Sequence, residues 1–525
     1  MKDMTKRTIS LISALLLCTG STVTAFARAE PELYLRGDLN LDGVVSVEDA
    51  QLALRAYTNK VAYNPTGLHP VQLEAANVLH DSEFDVTDAQ CILKYYVENS
   101  VSGKTVTWDQ VTGRDKLTVP DTGKELIIRA ACKDPTLDVM IRQFLERHPE
   151  YEGKIRTEYL ISEDFVSYTD EELIEYIANA DDTDLFYIDT HDMFPCLNND
   201  DLSIPVSALG FKESDFAEMY SYTLEAGSDL NGDLKALSAT ACPGGFFYRT
   251  DLAEKYLGVK TPDEMQKVIG NWEDFEKAAK TVHDQSEGKT AFCDGGDEGM
   301  AYAVICNLTE PWFNEKLESV VPDQLKQAAA RYTSFYKNGY LSDDLIFSEN
   351  WFNTVQSDSL FGFFSPGWSL IDEPVIEEYF FAGKDTPIYG KYSMVQGPAP
   401  YHGYDDYYMF VSPHCDNKTL AYAFLHECMT DKEAMTALSR ETNIFMNNSS
   451  VMKELAASAK GAAGLSRQSM LNQYDQIAAA SHSPKAYTPA CENKRRMFMD
   501  EVISSVRAGI PVEDRYWLFL EQYYL

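Results

Sequence analysis

Apolar and polar positions change their period several times along this chain. Glu125-Leu-Ile-Ile-Arg-Ala-Ala131 is a short, nearly unbroken apolar run, as a strand covered on both faces requires. Leu137, Met140, Ile141, Phe144 and Leu145 follow at i, i+3, i+4, i+7 and i+8, which predicts an amphipathic helix stopped before Pro149. Ile155, Thr157 and Tyr159 alternate as a second strand. Leu173 to Ile177 sit on another helix, and Asp184-Leu-Phe-Tyr-Ile-Asp189 reads as a third strand. This β-α-β-α-β order predicts a parallel sheet with crossover helices and a ligand site at the carboxyl ends of its strands.

Upstream, two apolar helices each begin Asp-Ala-Gln and each follow an acidic loop: Ala50-Gln-Leu-Ala-Leu-Arg-Ala-Tyr57 and Ala89-Gln-Cys-Ile-Leu-Lys-Tyr-Tyr96. In the first loop Asp38, Asn40 and Asp42 stand at positions 1, 3 and 5 of an EF-hand-type calcium loop, with Gly43 at the sharp turn of position 6. Val44 offers its carbonyl at 7, Ser46 binds at 9 directly or through water, and Asp49 closes the loop where an EF-hand has Glu. The competing reading is a solvated acidic turn. In the second loop Asn77, Asp81, Asp85 and Asp88 occupy positions 1, 5, 9 and 12. Leu79 at 3 and Ser82 at 6 remove one oxygen ligand and the turn glycine, which leaves Ca2+ there open.

The duplicated loop and helix resemble a dockerin, spanning residues 33–98. The resemblance implies a small all-α calcium-binding module that plugs an exported protein into a cohesin module of a cellulosome-like scaffold. In that family the partner is read late in the loop and along the helix, which points to Val47, Glu48, Leu54 and Arg55, with Val86 and Thr87 in the second copy. These differ from the Ser/Thr-rich pattern common among dockerins, so the cohesin preferred is not carried over.

The N-terminus agrees with export. Lys2, Lys6 and Arg7 form a positive region, Ile9 to Leu17 an apolar one, and Ala25-Phe-Ala27 or Ala27-Arg-Ala29 a cleavage site, giving a signal peptide over 1–29. The apolar stretch is too short to span a bilayer, and no other segment approaches that length. Cys18 follows Leu17, where a lipid-attachment site takes a small residue, and reads as part of the apolar stretch.

Composition narrows the classes. The chain has 525 residues, a net charge of -37 and 45% hydrophobic content: enough for two or three cores, and too acidic for a nucleic-acid or anionic-membrane partner. The acid excess serves solubility and calcium affinity. Its 10 cysteines show neither CxxC spacing nor histidine clustering, so a zinc site has no support. Cys306 reads as a small buried apolar residue, and one or two disulfides stay open. Residues 99–124 lack apolar periodicity and read as a linker, with one packed strand near Val106 and Trp108.

Further segments mark the large domain: Pro149-Glu-Tyr151, Gly244-Gly-Phe-Phe-Tyr-Arg249 running on to Gly258, Asn271-Trp-Glu-Asp-Phe275, Phe361-Gly-Phe-Phe-Ser-Pro-Gly-Trp368 and Lys418-Thr-Leu-Ala-Tyr-Ala-Phe424. Their order and spacing over residues 125–525 resemble the carbohydrate-binding extracellular solute-binding proteins of ABC importers. The resemblance implies an α/β bilobal, periplasmic-binding-protein-like domain, two α/β lobes with a hinge that close on an oligosaccharide. The chain would cross between lobes near 238–248 and return near 365–400, and an ABC importer becomes a further partner.

A sugar site needs flat apolar faces for stacking and polar groups for hydroxyls. Trp368, in a Gly/Pro-bounded turn after a strand, is the first candidate platform, against a Trp that caps the core. Asp189, at a strand's carboxyl end, is the first polar candidate, against a helix cap. Asp134 before Pro135 occupies the analogous place after the first strand, where a plain N-cap competes. Trp312 and Tyr404 complete the candidates. Trp272, spaced with Phe275, Ala279 and Val282, reads as core, and Tyr401 to Tyr408 as an aromatic lip or a hairpin.

Dockerin-bearing proteins include glycoside hydrolases, whose chemistry needs two suitably spaced carboxylates. Acidic residues are too frequent here to decide that. The chain shows no HExxH, GxSxG or P-loop motif, and His191 and His402 lack a recognisable nucleophile partner. The expectation is a secreted, extracellular, scaffold-attached and non-catalytic oligosaccharide binder. The alternative is a divergent dockerin-bearing carbohydrate-active enzyme.

Overall fold

The computed structural model describes residues 35–79, 84–106, 108–112, 125–161, 170–178, 182–190, 193–197, 199–229, 232–295, 299–305, 323–344, 348–366, 386–403, 406–459, 469–482, 501 and 503–510. The export signal with Cys18, the candidates Asp81, Trp312, Trp368 and Tyr404, and also His191 and Cys306, lie outside the described residues.

Residues 35–112 build a small helical module. Helices Val47–Val61 and Val86–Tyr96 pool Ala50, Ala53, Ala56, Ala89, Cys91 and Ile92 in one core with Leu39, Val45, Val78 and Phe84. Each helix starts the same way. Ser46 Oγ accepts the Glu48 N–H at 3.1 Å and Asp85 Oδ1 the Thr87 N–H at 2.6 Å. Asp49 and Asp88 reach back to the N–H of Ser46 and Asp85, both at 2.8 Å. Pairing these otherwise free donors is worth about 1 kcal/mol per cap.

The stretch read as a linker belongs to this module as far as residue 112. Trp108 is buried and stacks on Tyr95 with ring centroids 4.1 Å apart, while Val106 donates to Asn99 Oδ1 at 2.9 Å and accepts from Asn99 Nδ2 at 3.0 Å. Its packing uses single residues, chiefly Trp108 and Val111, and so leaves no periodic trace.

Downstream, the strands are β1 (Leu126–Cys132), β2 (Ile155–Ile161), β3 (Leu185–Asp189), β4 (Ala236–Leu237), β5 (Pro243–Arg249), β6 (Cys293–Asp294), β7 (Leu341–Ser342), β8 (Gly362–Pro366), β9 (Tyr392–Val395), β10 (Tyr401–His402) and β11 (Tyr407–Val411). One sheet has the order β2-β1-β3-β11-β4, parallel from β2 to β3, with β11 antiparallel to both its neighbours. In the second, β5 pairs with β8 on one edge and with β9 and β10 on the other, all antiparallel. The two sheets are the centres of two α/β lobes.

The first sheet is covered on both faces, which explains its apolar runs. Leu126, Ile128, Leu185, Tyr187, Met409 and Val411 feed one core, while Ala131, Phe186, Ile188, Tyr408 and Phe410 feed the opposite one. The second lobe has its own core around Phe246, Tyr248, Phe275, Phe292 and Phe364, which Trp272 borders as spacing indicates. Close approach explains the glycines of β5. A Cβ on Gly244 would lie 2.1 Å from the Tyr401 ring, and one on Gly245 2.4 Å from the Met394 sulfur.

The chain passes to the second sheet between β4 and β5. It returns between β10 and β11, after Gly403 and before Asp406, and not near 365–400. The apolar segments before that point, β8 and β9, both pair with β5 and so belong to the second lobe. Cys91, Cys196, Cys242, Cys293, Cys415 and Cys428 are buried free thiols, and no helix among the described residues is long and apolar enough to cross a membrane.

Asp184 holds the first sheet to its neighbours. Its carboxylate is buried and accepts the N–H of Ile127 at 2.8 Å, of Asp416 at 2.9 Å and of Asn417 at 3.0 Å. Asp184→Ala leaves three N–H groups without their acceptor, two of them buried, and a loss of at least about 3 kcal/mol is expected in denaturant unfolding. A change under about 1 kcal/mol would contradict that role.

Candidate functional site

Buried backbone that changes sheets must still pair its hydrogen bonds. Here three segments share them. Gly403 N–H donates to Cys242 O at 2.6 Å, Ala241 N–H to Phe445 O at 3.0 Å, and Asn447 N–H to Ala239 O at 2.9 Å. Side chains reinforce the junction. Thr240 Oγ1 donates to Asp406 Oδ1 at 2.8 Å, Tyr222 OH accepts the Cys242 N–H at 2.9 Å, and Tyr222 stacks on His402 at 4.3 Å. Two short passages between the sheets that share their hydrogen bonds have the arrangement of a hinge.

The carboxyl end of β3 meets that hinge, because Thr190 N–H donates to Asp406 O at 2.9 Å. Asp189 is the preceding residue, half-buried and in register with Tyr407. Tyr407 stacks on Tyr187 at 4.9 Å, and Tyr187 OH donates to Asp134 Oδ2 at 2.8 Å. The structure therefore brings Asp134, Asp189 and two tyrosines to one end of the sheet. Asp134 Oδ1 takes the Thr136 N–H at 3.0 Å, so its carboxylate caps the helix Pro135–Arg147 and holds Tyr187. Burial first, then the charge of Asp134, raises the Tyr187 hydroxyl well above its ordinary range.

Neither tyrosine was singled out by pattern. Tyr187 looks like one more member of a buried strand, and Tyr407 sits within an aromatic run whose role its neighbours leave open. The register of β3 with β11 unites them, and that pairing joins residues far apart in the chain. A shallow groove lined by Asp138, Ile141, Arg142, Leu145, Glu146, Glu152 and Thr157 lies on the outer side of the helix Pro135–Arg147.

In the second lobe Asp294 ends β6 fully buried. Its Oδ1 accepts the Phe364 N–H at 3.2 Å, and its Oδ2 has no hydrogen-bond partner among the described residues. Gly299 presses on it, since a Cβ there would lie 2.7 Å from the carboxyl carbon. Burial pushes this carboxyl up to about 7 from an ordinary 3.8, against the lowering effect of its backbone hydrogen bonds.

The first acidic loop is a tight turn closed on its own backbone N–H groups. Asp38 is buried and accepts the N–H of Asp42 at 3.2 Å and of Gly43 at 2.7 Å, and Asp42 Oδ1 accepts the Val44 N–H at 3.0 Å. Asp49 takes the N–H of Leu39 at 2.8 Å and of Asn40 at 3.0 Å, and Gly43 has φ 84. Burial raises the Asp38 carboxyl, and the facing charges of Asp49 and Asp42 push the same way. A bound cation would relieve that repulsion, so the donor set fits a hard cation. Its carboxylates face backbone N–H groups, and among the described residues no three acidic, histidine or cysteine side chains converge as a formed metal cluster. In the second loop Asp88 takes the Leu79 N–H at 3.0 Å, and Asp85 is occupied as a cap.

Val47, Glu48, Leu54 and Arg55 stand exposed along one face of the first helix, Thr87 is exposed and Val86 half-buried on the second. Apart from Ile510, every exposed large apolar side chain among the described residues lies between Leu35 and Val101.

Two lobes around separate sheets, joined by a paired hinge beside strand carboxyl ends, define a two-lobed solute-binding architecture. The profile of the family described as bacterial extracellular solute-binding protein matches residues 140–464, more than half of the chain, and the chain belongs to that family. Solved structures of the same fold include an extracellular solute-binding protein of family 1, with a TM-score of 0.63 at 12% identity, covering 76% of this chain and 98% of that one. The sugar-binding protein MalE from the phytopathogen Xanthomonas citri has a TM-score of 0.59 at 11% identity, covering 76% and 96%. The galacto-N-biose-/lacto-N-biose I-binding protein of the ABC transporter from Bifidobacterium longum, in complex with lacto-N-biose, has 0.54 at 13%, covering 77% and 99%. At these identities the likeness is one of fold. No curated protein matches the chain.

The Asp294 carboxyl sets an expectation for pH. Its folded-state value of about 7 lies above the ordinary 3.8, so its contribution is full below about 4 and is lost as pH rises through about 7. Asp294→Asn keeps a neutral acceptor for Phe364 and is expected to flatten the fall in Tm between about pH 5 and 8. An unchanged slope would contradict a buried, proton-holding Asp294.

Proposed function

We propose that this protein is an exported, non-catalytic binder that captures an oligosaccharide between its two lobes. The observation that carries the reading is the paired hinge beside the β3 end, where the half-buried Asp189 and Tyr407 lie next to the Asp134–Tyr187 pair. Stacking faces and hydroxyl-binding groups on a closing cleft suit a sugar. The solved relatives that bind sugars, one belonging to an ABC transporter, support the same ligand class and an importer as partner. Asp189 would bind hydroxyls, Trp368 would stack on a ring, and Trp312 and Tyr404 would add contacts, while Asp134 positions Tyr187.

The N-terminal module is read as a dockerin. Ca2+ would be held by Asp38, Asn40, Asp42, the Val44 carbonyl, Ser46 and Asp49, and would supply the positive charge that the acidic loop lacks. A second ion at Asn77, Asp81, Asp85 and Asp88 has weaker support, because Leu79 and Ser82 stand where the first loop has an oxygen ligand and the turn glycine. The exposed face with Val47, Glu48, Leu54 and Arg55, joined by Val86 and Thr87, would meet a cohesin of a scaffold. That face carries uncovered apolar surface, as a docking site does.

Calorimetric titration of the full chain with plant-polysaccharide oligosaccharides and lacto-N-biose, followed by chromatography of the sugar, tests capture. Saturable heat with intact sugar is expected, and Trp368→Ala should weaken binding about tenfold. Shortened products would replace capture with hydrolysis, and no heat across the panel would contradict sugar binding. For the loop, calcium at about a hundredfold over Kd should stabilise the module by about 2.7 kcal/mol, and Asp49→Ala should abolish the effect. Equal calcium response in both proteins would contradict the assigned ligands.

A further inference from the structure

A buried row of charges joins the N-terminal module to the first lobe. Arg36 lies two residues before the first acidic loop and is 1% exposed. Its guanidinium donates from Nε to Val78 O at 2.9 Å within the module, and its Nη2 stands 2.9 Å from Asp200 of the lobe. Asp200, 4% exposed, also holds the ammonium of Lys235, itself 1% exposed, and Lys235 lies 3.4 Å from Asp229. Two cations and two carboxylates thus alternate in a region closed to water, and their charges cancel. Such a row forms only where its members are held together, since each alone would carry a large desolvation penalty.

Aromatic packing continues the contact. The Arg36 guanidinium lies 5.6 Å from the centre of the Trp108 ring, and Trp108 stacks on Tyr95. Trp108 fills the space over Gly37, where a Cβ would come within 2.4 Å of the ring. Burial raises the Tyr95 hydroxyl, and the charge of Asp233 in the lobe adds to it.

The lobe side is hydrogen-bonded into the first sheet and lies close to the hinge. Lys235 directly precedes β4 and its N–H donates to Gly227 O at 2.9 Å. Beyond Asp200, Ile204 N–H donates to Val411 O of β11 at 3.0 Å. β4 and β11 are the strands that run into the two passages between lobes.

We propose that residues 35–112 are seated permanently on the first lobe, with Arg36–Asp200–Lys235–Asp229 as the lock. The module is part of the lobe and not a domain on a flexible tether. A partner bound on the module's outer helix face therefore fixes the attitude of the cleft, and a load on the module reaches the strands of the hinge.

The test is cleavage of the folded full chain at a protease site introduced between residues 113 and 124, followed by gel filtration. The two pieces are expected to elute as one species, including in about 1 M salt, because a buried network is poorly screened. Asp200→Ala and Arg36→Met are each expected to release the module after the cut. The second removes the module's charge and leaves the Asp200 and Lys235 pair in the lobe, so it stays informative if the first fails to fold. Separation of the native pieces would overturn the seating, and retention by both folded variants would overturn the lock.

Discussion

Thr240, Asp406 and the backbone around them carry the constraint on which the two-lobed body depends. A chain that builds two separate sheets must leave the first and come back, and every buried N–H and C=O on the way needs a partner. The outgoing segment at 238–242 finds its partners in Gly403 and Asp406 of the returning chain and in residues 445–447. These bonds leave little freedom except rotation about the paired segments, which is what a hinge between rigid bodies requires. The end of β3 is tied to the same junction through Thr190, so a ligand touching Asp189 acts beside the pivot.

Much of the first lobe was legible because its signals are local. Unbroken apolar runs marked β1 and β3, a helical period marked Pro135–Arg147, and the Asp-Pro start marked a cap that Asp134 does form. The duplicated module was legible for the same reason: Asp49 and Asp88 stand at equal places in two copies of one loop and helix. What stayed hidden depends on pairs distant in sequence. β11 enters the first sheet antiparallel between β3 and β4, and strands as short as β4 and β10 leave no period to read. The return therefore fell later than expected, and Trp108 packs into the module core from the start of a short helix, Trp108–Thr112, where a packed strand within a linker was expected.

The candidate site divides along the same line. Asp134 and Asp189 could be named because they follow strands, yet the tyrosines beside them became visible only through the register of β3 with β11. Trp312, Trp368 and Tyr404 remain assignments from sequence. Arg36 gave no signal at all: an arginine before an acidic loop looks solvated, and its buried partner Asp200 is remote in the chain.

The central claim is that the lobes close on a sugar, and small-angle X-ray scattering of the full chain tests it most directly. Scattering would be recorded alone and with each oligosaccharide at saturating concentration. The account predicts a smaller radius of gyration with a bound sugar, as the lobes close about the junction of 238–242 with Gly403 and Asp406. A sugar that binds while the radius stays unchanged would contradict closure about this hinge.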